Sequence, residues 1–157
     1  MLRISKMTDY ATVILAHLAD EGAGQKTAVE LAELSRVGVA TVSKVLKDLH
    51  RAGLVASTRG AHGGYALGRD AASISAADII DAVEGPVGIT ECASHPGQCG
   101  LESSCRVGHS WQRVNTAIRH ALGGVSLLQL AGRETVHALL PDLGISLGAR
   151  PGIRVRS

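Results

Sequence analysis

The segment Thr27–Val55, TAVELAELSRVGVATVSKVLKDLHRAGLV, decides the fold. Thr27 is followed three residues later by Glu30, and this capping-box pattern predicts the start of a helix. Gly38 then interrupts the helical pattern, as glycine does in the turn of a helix-turn-helix. A second helix is predicted from about residue 40 to residue 52.

This second helix is amphipathic. Its apolar residues fall at helical spacing and predict a buried stripe: Val42, Val45, Leu46 and Leu49. Its other face is polar and basic: Thr41, Ser43, Lys44, Lys47, His50 and Arg51. A short helix, a glycine turn and such a second helix are typical of a helix-turn-helix. An ordinary helical hairpin with a solvated basic face would give the same pattern, so the next segment decides between them.

The next segment, GLVASTRGAHGGYALGRD at 53–70, predicts a strand, a glycine-rich tip and a second strand. Gly60, Gly63 and Gly64 can adopt the positive φ angles that a tight hairpin needs. The tip carries Arg59 and His62. A hairpin directly behind a helix-turn-helix is a wing. The sequence therefore predicts a mostly α fold with a small β wing, a winged helix-turn-helix.

Two further helices flank this unit. The first is predicted over residues 8–21, with Thr8 as its N-cap. Its apolar face is predicted from Tyr10, Val13, Ile14, His17 and Leu18. The other helix lies in ISAADIIDAVEGP at 74–86, where Ser75 and Asp78 form an N-cap pair and Gly85-Pro86 ends the helix.

The stretch ECASHPGQCGLESSCRVGHSW, residues 91–111, contains all three cysteines, Cys92, Cys99 and Cys105. An odd number excludes a closed set of intrachain disulfides. The Cys-x6-Cys-x5-Cys spacing lacks the closely spaced pair of a structural zinc site. Wide, glycine-containing loops suit a larger group, and iron–sulfur clusters are held by thiolates from such loops. A thiol switch or unrelated surface cysteines is the alternative.

A long helix is predicted after this loop, over HSWQRVNTAIRHAL at 109–122. Its apolar stripe, at spacings of three, four and four residues, is Trp111, Val114, Ile118 and Leu122. We expect two copies of the helix to share this seam in a homodimer; the alternative is packing on its own chain. SLLQLA is predicted as a short turn or helix, and the chain from Gly132 onward as a flexible tail in which TVHALL could form one helical turn.

The predicted organisation has four parts: a DNA-binding winged helix-turn-helix at 1–84, a cluster-binding loop at 85–106, a dimerisation helix region at 107–131 and a flexible tail at 132–157. Hydrophobic residues make up 45% of the 157 residues, which permits a packed core. The aromatic content of 2% argues against single-stranded nucleic-acid binding by base stacking. The net charge of +2 permits DNA binding without implying it.

No apolar run is long enough for a signal peptide or a membrane span, so we expect a soluble cytoplasmic protein without a membrane partner. No Ser/His/Asp set, Cys/His dyad or phosphate-binding loop is discernible. The chain is therefore not expected to be an enzyme or to act on a small-molecule substrate.

Five ordered motifs resemble one family, the IscR/NsrR-type winged-helix transcription regulators, over about residues 1–130. They are MLRISKMTDYA, RGAHGGYALGR, ISAADIIDAVEGP, the three-cysteine loop and the W-x-x-V-N that follows it. The patterns MLRI-x-K-x-TDYA and EGP-x-G-x-TEC are most similar to the branch that regulates the SUF iron–sulfur assembly operon.

The resemblance implies a dimer that binds a palindromic double-stranded DNA operator, with the recognition helix in the major groove and the wing at the minor groove. It implies an iron–sulfur cluster ligated by Cys92, Cys99 and Cys105, with [2Fe–2S] favoured over [4Fe–4S]. Cluster occupancy would control operator binding.

Two positions depart from the family pattern. Where IscR-type proteins have a histidine ligand, this chain has Gly108, and His109 follows; one residue turns a helical side chain by about 100°. NsrR-type proteins use a carboxylate from the partner chain, and Asp9 matches it, so Asp9 is favoured over His109 as fourth ligand. Where IscR-type proteins have a recognition-helix glutamate, this chain has Ser43, so base preference does not transfer.

The candidate DNA contacts divide into two groups. Those expected to reach base edges are Thr41, Ser43 and Lys44. Those expected to contact phosphates or the minor groove are Lys47, Arg59 and His62. The sequence thus predicts a repressor of SUF-type assembly genes that senses iron–sulfur status. The alternatives are a repressor that senses nitric oxide or redox state through a [4Fe–4S] cluster, and a cluster carrier without a DNA role.

Overall fold

Six α-helices and one two-stranded antiparallel sheet make up the part of the chain that the structure describes. This computed structural model describes residues 3–20, 24–60, 63–90, 100 and 105–134. The helices are α1 (Lys6–Leu18), α2 (Ala28–Ser35), α3 (Val39–Arg51), α4 (Ala76–Glu84), α5 (Gly108–Gly123) and α6 (Leu127–Leu130). The strands are β1 (Val55–Thr58) and β2 (Gly64–Leu67), and a short 3-10 turn spans Ala71–Ser73. The predicted fold class is confirmed.

The core is almost entirely aliphatic, as the shortage of aromatic residues requires. It lies where α1, α2 and α3 meet and is closed by α4 and α6. The predicted stripe of α3 is confirmed, since all four of its residues are fully buried. Their burial points the polar face of α3 outward.

Helix α1 differs from its prediction at both ends. It begins at Lys6, and its N-cap is Ser5, whose Oγ accepts the N–H of Thr8 at 3.3 Å. Thr8 is not the cap because its hydroxyl is buried and donates to Glu84 instead. The helix ends at Leu18 rather than at residue 21.

The buried face of α1 is also rotated from the predicted one. The residues that enter the core are Ala11, Ile14, Leu15 and Leu18. Tyr10, Val13 and His17, which were assigned to that face, are only half-buried. Both sets satisfy helical spacing, so periodicity alone could not choose between them.

Helix α2 begins with the predicted capping box. Thr27 Oγ1 accepts the N–H of Glu30 at 3.2 Å, and Glu30 Oε2 accepts the N–H of Thr27 at 2.7 Å. The hydrogen bond from the Thr27 backbone lowers the pKa of the Glu30 carboxyl. Leu34 of α2 is 48% exposed.

The turn between α2 and α3 does not use its glycine in the expected way. The residue in the left-handed region is Arg36, with φ 56°. Gly38 has φ −58° and is the N-cap of α3, where its carbonyl oxygen accepts the N–H of Val42 at 3.0 Å. The turn therefore contains a non-glycine residue in a conformation that L-residues adopt at a cost.

The wing is a hairpin in which Val55 pairs with Leu67 and Thr58 pairs with Gly64. Gly60 has the predicted positive φ, 116°. Gly63 and Gly64 do not have a positive φ. Gly63 is required for space instead, because a Cβ there would lie 2.3 Å from the carbonyl oxygen of Thr58.

The chain returns to the core after α5. The N–H of Ala76 donates to the Val125 carbonyl at 2.8 Å, and the N–H of Leu127 donates to the Ile74 carbonyl at 2.7 Å. Leu127 in α6 is fully buried in the same cluster as α3. α6 begins with a capping box between Ser126 and Gln129, which the sequence analysis missed. Most of the predicted tail, residues 135–157, lies outside the described residues.

No helix in the described ranges is long and apolar enough to cross a membrane.

The Arg36 backbone gives a stability prediction. We expect Arg36→Gly to be more stable than Arg36→Ala by about 1 kcal/mol, because only glycine occupies the left-handed region without a Cβ penalty. Both variants remove the same charge, so the alanine variant is the matched control. Urea unfolding followed by circular dichroism measures the difference. Equal midpoints would contradict the assigned backbone conformation.

Candidate functional site

The outward face of α3 presents the predicted DNA contacts on one helix. Ser43, Lys44 and Lys47 are exposed, and Thr41 is half-buried beside them. No described carboxylate lies within salt-bridge distance of Lys44 or Lys47, whereas Arg51 is paired with Asp48 at 3.3 Å. The two ammonium groups are thus available to phosphate oxygens, and the face can take part in both base and backbone contacts.

His50 has a structural role at the end of α3. Its Nδ1 lies 2.9 Å from the carbonyl oxygen of Val55. A carbonyl only accepts hydrogen bonds, so Nδ1 carries the proton. The bond ties the last turn of α3 to the first residue of β1.

The wing is attached to the α2 side of the helix-turn-helix. Lys26 and Tyr65 exchange two backbone hydrogen bonds, at 2.9 and 2.8 Å. Gln25 Nε2 donates to Thr58 Oγ1 at 2.9 Å. Arg59 is exposed beyond these anchors, at the start of the wing tip. His62 lies outside the described residues.

Arg36 is a cation that the sequence analysis overlooked. It is exposed in the turn that precedes α3. Only one sign of this is present in the sequence, the absence of a glycine at position 36. A left-handed residue at a helix end is usually glycine, and here Gly38 stands two positions later. Arg36 therefore adds a positive group next to the start of the recognition helix.

Cys105 is the one candidate cluster-ligating cysteine within the described residues. Its thiol is free and half-buried, and it precedes α5 by three positions. A Cβ built on Gly108 would lie 3.6 Å from Cys105 Sγ, so position 108 faces the sulfur. Backbone N–H groups at a helix N-terminus favour a negatively charged group, which fits a metal-ligating thiolate. Cys92 and Cys99 lie outside the described residues, so the ligand set is not brought together here.

His109 lies on a different side of α5 from the Cys105 sulfur. It is exposed and lines an open groove of about 500 Å³ along that helix. The other residues of the groove are Gln112, Arg113, Thr116, Ala117 and His120. Gly108, rather than His109, thus occupies the position next to Cys105.

Asp9 is exposed in the first turn of α1. The start of this helix is attached to the end of α4, because Glu84 accepts the N–H of Ser5 at 3.1 Å and the hydroxyl of Thr8. The Thr8 hydrogen bond lowers the pKa of the Glu84 carboxyl. These contacts fix Asp9 relative to the helix that leads into the cysteine loop.

The apolar stripe of α5 divides into two halves. Trp111 and Val114 are each 44% exposed. Ile118 and Leu122 are half-buried, and they line an apolar cavity of about 610 Å³ together with residues of α4 and of 85–88. Ile4, at its edge, is 58% exposed. The single chain therefore covers only the second half of the stripe.

A family model described as Rrf2, iron-dependent transcriptional regulator, matches residues 4–133. The chain belongs to the Rrf2 family. The matched range extends from α1 to α6, so this family membership covers the winged helix-turn-helix and α5 together. The resemblance to IscR-type regulators is confirmed by the relatives below.

Curated relatives of this Rrf2 protein are named as transcriptional regulators. The HTH-type transcriptional regulator IscR of Vibrio vulnificus is 32% identical over 132 residues, covering 82% of this chain and 78% of the relative. The putative HTH-type transcriptional regulator ORF2 of Azotobacter vinelandii is 32% identical over 142 residues, covering 88% and 85%. The chain is thus a DNA-binding transcriptional regulator and not an enzyme.

Solved structures of related regulators have the same fold as this chain. CymR, titled the global cysteine regulator of B. subtilis, matches with a TM-score of 0.64 and 29% identity, covering 85% of this chain and 99% of that one. The IscR of T. potens matches with a TM-score of 0.61 and 26% identity, covering 87% and 92%. These likenesses confirm the winged-helix prediction.

Charge removal on the predicted DNA-binding surface has a measurable consequence. We expect Lys47→Gln and Arg59→Gln each to reduce the slope of log affinity against log salt by about 0.9 for a random-sequence duplex, because each removes one phosphate contact. Arg113→Gln on α5 is the control, with the same charge change away from α3 and the wing. Fluorescence anisotropy measures the affinity at salt concentrations between about 50 and 200 mM, and the slopes follow from these affinities. Over roughly this range the loss of phosphate contacts changes the affinity strongly. Unchanged slopes in both variants would exclude these residues from the interface.

Proposed function

We propose that this Rrf2 regulator is a homodimeric, cytoplasmic repressor of SUF-type iron–sulfur assembly genes whose operator binding depends on an iron–sulfur cluster. The observation that carries the proposal is the position of Cys105. Its free thiol lies three residues before the start of α5, and Cys92 and Cys99 also lie between α4 and α5 in the sequence. A group bound by these cysteines is connected through the chain to both α4 and α5.

The proposed ligands are Cys92, Cys99 and Cys105, with Asp9 of a second chain as the fourth. Two observations support Asp9 over His109. The position that faces the Cys105 sulfur is Gly108, which has no side chain to offer, and His109 lines a separate groove. Asp9 is exposed in a helix anchored to the end of α4. A [2Fe–2S] cluster is favoured over [4Fe–4S]; when bound, it supplies a group sensitive to iron supply and oxidation.

The proposed dimer uses the exposed half of the α5 stripe. A surface with two large apolar side chains at helical spacing, continuous with an apolar cavity, is typical of a helix that packs on a second copy. Two-fold symmetry makes each subunit contribute the same patch. It also allows Asp9 of one subunit to complete the site of the other.

The proposed mechanism follows from this arrangement. A symmetric dimer presents two α3 helices to operator half-sites about 34 Å apart, one helical turn of DNA. Joining three thiolates of the loop to one group constrains the chain between α4 and α5. This shifts the population of dimers toward one separation of the recognition helices. We propose that loss of the cluster releases the operator, so assembly genes are expressed when clusters are scarce.

Spectroscopy tests the ligand set. Anaerobically purified protein is expected to absorb visible light through sulfide-to-iron charge transfer and to contain labile sulfide, and Cys105→Ser is expected to lose both. Asp9→Ala is expected to change the spectrum, because the proposed fourth ligand is removed, whereas His109→Ala is expected to keep it. A colourless, sulfide-free wild type would refute the cluster. A change in His109→Ala alone would reassign the fourth ligand.

Operator affinity tests the sensing. A duplex enriched from random sequences by the cluster-loaded protein is expected to bind the loaded form at least about tenfold more tightly than the apo form, a coupling within the usual allosteric range. Gel shifts under anaerobic conditions compare the two forms of one preparation. Equal affinities would rule out sensing. Release by nitric oxide without any response to iron removal would instead favour the nitric-oxide-sensing alternative.

A further inference from the structure

One carboxylate joins three parts of the chain: α4, α5 and the backbone at Val87. Asp81, in α4, accepts two hydrogen bonds from the Arg119 guanidinium of α5, at 3.1 and 2.8 Å. Its Oδ1 also accepts the N–H of Val87 at 2.9 Å. Arg119 thus binds Asp81 in the bidentate manner that fixes orientation as well as distance. The third bond attaches the backbone that leads to Cys92.

A second side chain of α5 holds the same backbone two residues later. Asn115 is only 8% exposed, and its Oδ1 accepts the N–H of Ile89 at 3.3 Å. Asn115 and Arg119 are four residues apart and lie on one face of the helix. Segment 85–90 is therefore held from two sides, by α4 through Asp81 and by α5 through Asn115.

These bonds contribute more to geometry than to stability. The side chains of Arg119 and Asp81 are 41% and 30% exposed, and ion pairs at such positions add little to folding free energy. The hydrogen bonds that Arg119 donates to Asp81 raise the pKa of Arg119, as expected for a formed pair. We therefore expect a protein without the pair to stay folded, with segment 85–90 held less firmly.

Helix α4 connects this site to the DNA-binding surface. It packs against α3, which carries the recognition face, and against α1 and α5. Its last residue, Glu84, binds the start of α1. A shift of segment 85–90 relative to α5 would thus act directly on α4, the helix that supports α3.

We propose that Asp81, Arg119 and Asn115 are positioning residues that carry the state of the cysteine loop to the recognition helix. They hold segment 85–90 between α4 and α5, so that a change beyond residue 90 moves α4 relative to α5 instead of being absorbed by a loose connection. The inference rests on the proposed function, because it assigns a route to the response that the cluster produces.

The experiment measures the ratio of apo to cluster-loaded dissociation constants for the enriched duplex in the wild type, Asp81→Asn, Arg119→Gln, Asn115→Ala and the double variant of Asp81 and Arg119. Arg113→Gln is the matched control, since it removes the same charge from the exposed face of the same helix. Arg119→Lys keeps the charge but not the bidentate geometry. Thermal unfolding and the visible spectrum verify that each variant is folded and loaded.

We expect each single variant to bring the ratio toward one by at least about threefold, with its melting temperature and spectrum kept. The loss in the double variant should be smaller than the sum of the Asp81→Asn and Arg119→Gln losses, because the two side chains share one contact. The ratio for Arg119→Lys should lie between those for the wild type and Arg119→Gln. The ratio for Arg113→Gln should equal that of the wild type.

A wild-type ratio that is preserved in all single variants would overturn this inference while leaving the proposed function intact. A wild-type ratio of one would instead refute the proposed sensing, and this inference with it. If Arg119→Gln did not fold, Arg119→Lys would decide, since a ratio equal to that of the wild type would exclude the need for bidentate geometry.

Discussion

The burial of four aliphatic side chains of α3 is the constraint on which the rest of the structure depends. Val42, Val45, Leu46 and Leu49 are all fully buried, and each contributes about 1.5–3 kcal/mol of transfer free energy. Their sum is comparable to the whole stability of a small domain. The orientation of α3 is therefore set from within. Its outer face is free to differ from that of relatives, which is why Ser43 can stand in place of a glutamate without a change of fold.

Helix α4 joins the parts that the buried core leaves separate. Its three carboxylates follow one another at three-residue spacing, and each binds a different element. Asp78 caps its own helix and pairs with Arg69 at 3.0 Å. Asp81 holds α5 and the backbone toward Cys92, and Glu84 holds the start of α1. A nine-residue helix thereby contacts the DNA-binding unit on one side and the proposed sensing region on the other.

The sequence predicted the elements better than the details of their ends. The α3 stripe and the capping boxes of α2 and α4 depend on local spacing, and all three were confirmed. The cap of α1 was wrong because Thr8 is taken by Glu84, a contact across 76 residues that no local pattern shows. The Asp81–Arg119 pair was missed for the same reason, since it forms only through tertiary packing. The cluster ligands stay a prediction, because Cys92 and Cys99 lie outside the described residues.

Because the chain returns to the core at Leu127, the DNA-binding unit depends on a residue that is synthesised after α5. The core that orients the recognition helix is complete only when residue 127 is in place, behind the cysteine loop and α5. Leaving the place of the Leu127 side chain in the core empty costs about 2–5 kcal/mol, a large share of a small domain's stability. A nascent or truncated chain that ends before α6 thus has an unfinished DNA-binding unit. The fold itself disfavours a product that could occupy DNA without carrying the region proposed to control it.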